Sequence, residues 1–512
     1  MTDSFPVPRK IIILAIVIPL AALLGYWLAT PEQTTSMAFV ALVVGALVLP
    51  ILLGWHYPLL LFSWNTAITV FFLPGKPLLW MPVAGISLGI SVLGYWLNRQ
   101  SGFQNVRSIT WSLVFLSLVV LITMKMTGGV GMQSLGASTF GGKKFVFIIV
   151  AILGYYALSS QRIAPESINR YTGLYFLPGI IGLLPNLIYM AGPAFWWLYL
   201  FFPVESALYQ AIEDFQTTSV DARLSRIGGA PFATMAVYGY IMARYGIRGV
   251  FDLSRPWRLT VFLAALALGL LGGFRSPLIL FALIFTAQFF LEGLVRTRLF
   301  LVLLLIAVLG GAFLVPFADR LPLSVQRSLS FLPLEVDPVA RQNALATLEW
   351  RLGMWNTLWP QVPQYLWLGK GYVIDPTDLY LTDLAVRHGL ASDYDAAIVC
   401  GDYHSGPLSI LIPFGVWGMI GFLWLLIVGV RVLYRNYRFG DPAIKNLNAF
   451  LLASFLGRSI LFFGVFGALH SDLAAFLGMI GFSVAINGGI RPKKAAETPL
   501  AVAAAAPEPA AA

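Results

Sequence analysis

Residues 258–315 read RLTVFLAALALGLLGGFRSPLILFALIFTAQFFLEGLVRTRLFLVLLLIAVLGGAFLV. Three apolar runs, 258–273, 276–292 and 299–315, are parted only by a Gly-Gly-Phe-Arg turn and a short basic link, Arg296-Thr297-Arg298. Each is near the ~20 residues that carry a helix across the hydrocarbon of a bilayer. Backbone polar groups in hydrocarbon must find their partners inside their own segment, so runs of this kind are helices. The first two are joined so tightly that they can form one helical hairpin.

The same pattern extends in both directions. Further spans are expected near 11–29, 37–54, 57–74, 78–97, 108–125, 144–159, 173–190, 230–246, 407–430, 447–466 and 472–489. Composition agrees: 58% of the 512 residues are hydrophobic and 11% are charged, against about 25% charged in a soluble domain. The fold class expected is therefore all-α, an integral membrane protein with a polytopic bundle of about 12–14 helices. The divisions are a transmembrane bundle over 1–315 with an outer loop at 191–229, a large loop domain at 316–406, closing helices at 407–490, and an Ala/Pro-rich tail at 491–512 expected to be disordered. Pro193–Pro203 is too short to span, and Trp196 and Trp197 suit it to the membrane interface.

The net charge of +10 follows from basic inner loops and calls for no nucleic acid. With Arg9 and Lys10 inside and the spans alternating, the inner connections hold Arg99 and Arg107, Arg162 and Arg170, Arg244 to Arg258, Arg296 and Arg298, and Arg431 to Lys445. This is the positive-inside pattern, with both termini cytoplasmic and Arg9–Lys10 plus 11–29 serving as a signal anchor. Lys125, Lys143 and Lys144 fall outside and dissent. Cys400 is the one cysteine, and His56, His388, His404 and His470 have no ligand spacing, so no metal site or cofactor is expected. Asp393-Tyr394-Asp395 has the Asp-x-Asp spacing that can hold a metal, but an acid-rich loop produces it easily.

The alternation puts Arg223, Arg226, Arg275 and His404 on the outer side, each near the end of a span. Arg275 occupies a very short outer turn, where it is either a snorkelling residue or a functional one. Arg223 and Arg226 are interfacial anchors or, with their planar guanidinium forks, ligands for phosphate. His404 stands where the large loop re-enters the membrane. It is an ordinary hydrogen-bonding histidine or a general base held neutral by nearby arginines. Arg458, at mid-span, implies an ion pair or a substrate contact. Ala340–Trp359 reads as an amphipathic helix with Leu345, Leu348, Leu352 and Trp355 on one face.

At these residues the chain resembles the O-antigen ligase and polymerase family of bacterial inner-membrane glycosyltransferases. Arg223-Leu224-Ser225-Arg226-Ile227-Gly228-Gly229 resembles the family's first Arg motif, with Ala230-Pro231-Phe232 in place of its Pro-Asn pair. Gly273-Phe274-Arg275-Ser276 resembles its Ser-Arg-Gly turn. Arg341 to Trp355 and Gly369-Lys370-Gly371 resemble its periplasmic helix and Gly-x-Gly turn, and His404-Ser405 its His-Asn signature. The resemblance implies a GT-C-like bundle with a periplasmic active site. It implies a donor glycan on undecaprenyl diphosphate, bound by Arg275 and Arg226 or Arg223, and His404 as the base that activates an acceptor hydroxyl. The acceptor would be lipid A–core (a ligase), a second lipid-linked glycan (a polymerase) or a protein hydroxyl. The rival from another class is a polysaccharide transporter or flippase, which would favour charges along the mid-membrane.

Overall fold

The computed structural model describes residues 9–28, 34–97, 103–132, 137–216 and 226–491. They are helices joined by turns; among the described residues there is no β-strand, only the isolated bridges Thr69–Leu78 and Phe140–Ile374. The chain divides into two compact units, Met1–His56 and Tyr57–Ala512. The first contains α1 (Arg9–Leu28) and the start of α2 (Thr34–Trp64).

The second unit continues through α3 (Trp80–Leu97), α4 (Arg107–Thr127), α5 (Gly142–Leu158), α6 (Pro165–Ala191), α7 (Ala230–Val250), α8 (Trp257–Leu270), α9 (Arg275–Leu291) and α10 (Arg298–Leu314). After α11 (Pro338–Leu358) in the large loop come α12 (Leu408–Phe439), α13 (Lys445–Gly464) and α14 (Leu469–Asn487). Seven helices among the described residues are long and apolar enough to cross a membrane, and α8 and α9 are shorter apolar helices. The protein is a polytopic helical membrane protein.

One pair of expected spans is corrected. Residues 37–54 and 57–74 are not two helices: α2 runs unbroken from Thr34 to Trp64, and 65–79 is mostly turns and extended chain. A lone neutral His56 is too weak a reason to give up helical hydrogen bonds in an apolar stretch. The helix ends instead where side chains compete for the backbone: Thr66 Oγ1 donates to the Ser63 carbonyl and Asn65 Nδ2 to the Tyr175 carbonyl, at 2.9 and 2.6 Å. The span count falls by one, and the cytoplasmic N-terminus inferred from that count no longer follows from it.

The hairpin expected in the opening stretch forms as α8 and α9. α9 packs against α13, α8 against α7, α12 against α4, and α14 against α5. At one end of the bundle the helices are bonded by amides: Asn448 and Asn487 exchange hydrogen bonds of 3.1 and 2.9 Å, and Asn436 donates to Ser483 at 3.1 Å. Such buried amides join helices where apolar burial cannot, lipid being as apolar as leucine.

In the large loop, α11 begins on Asp337, whose carboxylate caps the helix by accepting from Val339 N at 2.8 Å. On its apolar face Leu345, Leu348 and Leu352 are 50, 42 and 44% exposed, while Trp355 packs against the loop's own cluster. The buried residues are Ala340, Ala344, Met354 and Leu358. Two alanines let the helix backbone come closer to the bundle than leucines would. Pro193–Leu200 is a 3-10 turn with Trp196 and Trp197 exposed.

Candidate functional site

The site is built where the end of the large loop meets the open end of α12. Pro413 and Gly415 (φ 63°) break that helix near its start. Proline has no N–H to give, and a left-handed glycine turns the chain, so neighbouring backbone groups lose their helical partners. The turn Gly369-Lys370-Gly371 supplies replacements. Lys370 N donates to the Ile412 carbonyl at 2.7 Å, Gly371 N to Pro413 at 3.0 Å, and Val416 N to Leu366 at 2.7 Å. A Cβ on Gly371 would lie 2.2 Å from Thr127 Oγ1. The Gly-x-Gly spacing thus marks a backbone-to-backbone dock between loop and bundle.

Docking brings Tyr403-His404 over the turn between α13 and α14. Trp355 Nε1 holds the Tyr403 carbonyl at 3.0 Å. His404 itself has φ 48°, in the left-handed region, a conformation histidine adopts more readily than most residues. Its imidazole lies between two aromatic rings, Trp350 at 5.2 Å and Phe466 at 5.3 Å between centroids. The Arg351 guanidinium stands over the same Phe466 ring at 5.5 Å. Burial first, and then the Arg351 charge, push His404 below its ordinary pKa; Lys144 adds to this and Asp402 opposes it. The imidazole is therefore neutral at neutral pH and free to accept a proton.

Arg275 is the first residue of α9. One of its nitrogens donates to the Ala344 carbonyl at 2.9 Å, which pins α11 to the bundle. Arg351 lies two turns further along that helix, and its pKa is lowered by burial and then by the Arg275 charge. Arg226 packs against the same turn, its guanidinium 5.9 Å from the Phe274 ring. A Cβ on Gly273 (φ 69°) would meet Arg226 Cδ and Cγ at 2.8 Å, so glycine there lets the arginine side chain lie along the turn. Three arginines and a neutral histidine thus gather in the same region, which suits a multiply charged anion beside a reacting hydroxyl.

The structure brings together three of the residues singled out from the sequence: His404, Arg275 and Arg226. Arg223 lies outside the described residues. Arg458 is in an ion pair, with Nη1 3.0 Å from Asp472 Oδ1, and Asp472 also accepts from Ala468 N at the start of α14. Asp395 accepts from Ser392 N at 2.8 Å.

Sequence reasoning passed over two participants. Arg351 stood inside the quoted Arg341–Trp355 stretch, where helical periodicity drew notice to the leucines. Lys144 was visible as a violation of the positive-inside pattern. Its ammonium donates to the Cys400 carbonyl at 2.7 Å, the Gly401 carbonyl at 3.0 Å and the Asp402 carboxylate at 2.6 Å. A side chain from α5 thereby clamps the three residues that lead into Tyr403-His404.

No curated protein matches the chain. Residues 259–423 match the family model described as O-antigen ligase. That stretch, about a third of the chain, runs from α8 through Arg275, α11, the Gly-x-Gly dock and His404 into α12, and over it the chain is similar to the O-antigen ligase family.

Proposed function

We propose that the protein moves a glycan from undecaprenyl diphosphate to an acceptor hydroxyl at the periplasmic face of the bacterial inner membrane, as an O-antigen ligase does. The observation that carries this reading is the neutral His404 imidazole held beside Arg351, with Arg275 and Arg226 close by. The match of 259–423 to the O-antigen ligase family model supports a glycosyltransferase of the ligase and polymerase type.

In this mechanism Arg275, Arg226 and Arg351 bind the diphosphate, with Arg223 as a further ligand on the same outer connection. Charge-assisted contacts of this kind contribute about 1.5–3 kcal/mol each. They act most strongly as the leaving group gathers charge. His404 takes the proton of the acceptor hydroxyl. The hydroxyl oxygen forms a bond to the anomeric carbon as the carbon–oxygen bond to the diphosphate breaks, so the configuration inverts and undecaprenyl diphosphate departs. General-base assistance of this type contributes about 10²–10⁴ in rate. The donor already stores the energy of the reaction, so the chemistry runs without a nucleotide or a metal.

The test uses purified protein with lipid-linked glycan and acceptor. His404→Ala and Arg275→Ala abolish transfer while the protein still inserts and folds, and transfer by the wild type survives excess chelator. Full activity in both variants would sink the mechanism. Loss on chelation, restored by Mn²⁺ or Mg²⁺, would move attention to Asp393 and Asp395. Deleting the gene in its host separates the acceptors. Bare core with long lipid-linked polymer means a ligase, and core with one repeat unit means a polymerase. An unchanged ladder points to a protein or exopolysaccharide acceptor.

A further inference from the structure

A cavity of about 1140 Å³ opens among α2, α5, α7, α13 and α14. It is set apart from the His404 cluster by a shared wall. On α5, Lys143 faces the cavity while its neighbour Lys144 reaches the loop at Cys400–Asp402. On α14, Ser471 faces the cavity while the ring of His470 lies against Tyr372. Both contributions come from the first turns of their helices, so the cavity is at the same end of the bundle as the site.

Its chemistry is that of an amphiphile's receptor. The walls are largely aromatic, with Trp64, Trp80, Phe147 and Phe450 among them. Three cations, Lys76, Lys143 and Arg458, line it against one acid, Glu205. Arg458 is held by Asp472 through one nitrogen, Nη1. The Ser454 hydroxyl, buried on the same wall, has no hydrogen-bond partner. A buried hydroxyl without a partner costs free energy that a bound polar group recovers. The volume exceeds the roughly 300–1,000 Å³ of ordinary small-molecule sites.

We infer that this cavity binds a phosphorylated lipid, with its phosphate toward the lysines and Arg458 and its chain along the aromatic wall. The site is additional to the arginines proposed to bind the diphosphate; binding of a phosphorylated lipid there does not depend on the transferase reading, and only its assignment to the acceptor rests on it. Two sources carry that chemistry: the anionic phospholipid of the surrounding membrane, and a phosphorylated glycolipid that serves as acceptor.

Native mass spectrometry of the full-length protein, delipidated and titrated with phosphatidylglycerol or phosphatidylcholine, tests it. Phosphatidylglycerol is expected to bind in preference, and the double variant Lys76→Gln/Lys143→Gln to weaken it about tenfold or more. Ala475→Phe, which fills the cavity wall without touching a charge, is expected to do the same. His404→Ala is expected to leave binding intact, so failure of this site and failure of the catalytic mechanism read out separately. Equal retention of both lipids, or phosphatidylglycerol binding unchanged in both cavity variants, overturns the inference. Displacement of phosphatidylglycerol by lipid A–core assigns the site to the acceptor; persistence of the phospholipid under that challenge assigns it to membrane lipid.

Discussion

Two residues carry consequences out of proportion to their visibility in the sequence. Arg351 lowers the His404 pKa, after burial. In the proposed mechanism the base works only when neutral, so the acid limb of kcat/KM is expected to rise with pH through a midpoint below the ordinary histidine value of 6.5. Arg351→Gln removes one cause of the depression, and the midpoint moves up towards that value; a pH profile of the variant that superimposes on the wild type would refute the coupling. Lys144 acts at one remove, through the backbone it holds. Lys144→Met releases the Cys400–Asp402 turn and is expected to lower kcat by about 10², the scale of a displacement near 1 Å, with KM little changed. Lys144→Arg, which keeps the charge and several donors, should recover part of the loss. Equal losses in the two variants would mean that the ammonium group is needed for more than its bonds to the turn. Both residues escaped periodicity for the same reason: their partners lie far away in sequence, Lys144 being 256 residues from Cys400.

Among the elements, spans were legible wherever an apolar run ended in glycine, proline or a basic pair. The α8–α9 hairpin matches its sequence boundaries within about three residues, the usual uncertainty of helix ends. Gly54-Trp55-His56-Tyr57-Pro58 is the exception: glycine and proline stand there too, yet the helix runs through them and α2 absorbed both expected spans. The helix α11 and its leucine face were legible, but periodicity reports an apolar face and not what covers it. Ala340 and Ala344 show that close approach, not side-chain bulk, decides which face docks. The kink in α12 makes a prediction at this scale. Gly371→Ala drives a Cβ against Thr127 and forces alanine into the left-handed region, at a cost of about 2–3 kcal/mol. Thermal unfolding followed in detergent should show a lower midpoint; an unaltered midpoint would mean that loop and helix adjust without strain.

For the whole molecule, the large loop is fastened to the bundle at several separated points. Phe140 and Ile374 exchange backbone hydrogen bonds of 3.0 and 2.7 Å, Ser328 Oγ donates to the Leu270 carbonyl at 3.1 Å, and Arg275 holds Ala344. Its own apolar cluster, built on Met354, Leu358, Val362 and Tyr403, is completed by Leu408 and Ile412 of α12. An excised 316–406 fragment is therefore expected to lack a cooperative thermal transition by circular dichroism, because it leaves behind part of its core. A sharp transition would show that the loop folds alone. The grouping of His404, Arg275 and Arg226 was legible in their residue types and their places near the ends of spans. The ion pair that was one of the two readings of Arg458 is present, but that its partner is Asp472, and that Lys144 clamps the loop, was not legible, because each depends on how helices turn about their axes.

The helix α10, Arg298–Leu314, has no fully buried residue; beyond the short turns at its two ends it meets the bundle near its start, where Leu299 and Leu303 touch the core and Phe300 lies 6.1 Å from Phe289. From Leu304 to Phe313 every position faces outward. Such a segment carries almost no structural information beyond its length and its greasiness: leucine, valine, isoleucine and phenylalanine are interchangeable letters there. Exhaustive substitution of the gene would find it the most permissive stretch of the described chain toward apolar replacements. A mutational map would show a quiet interval immediately before the loop that holds Arg351 and His404.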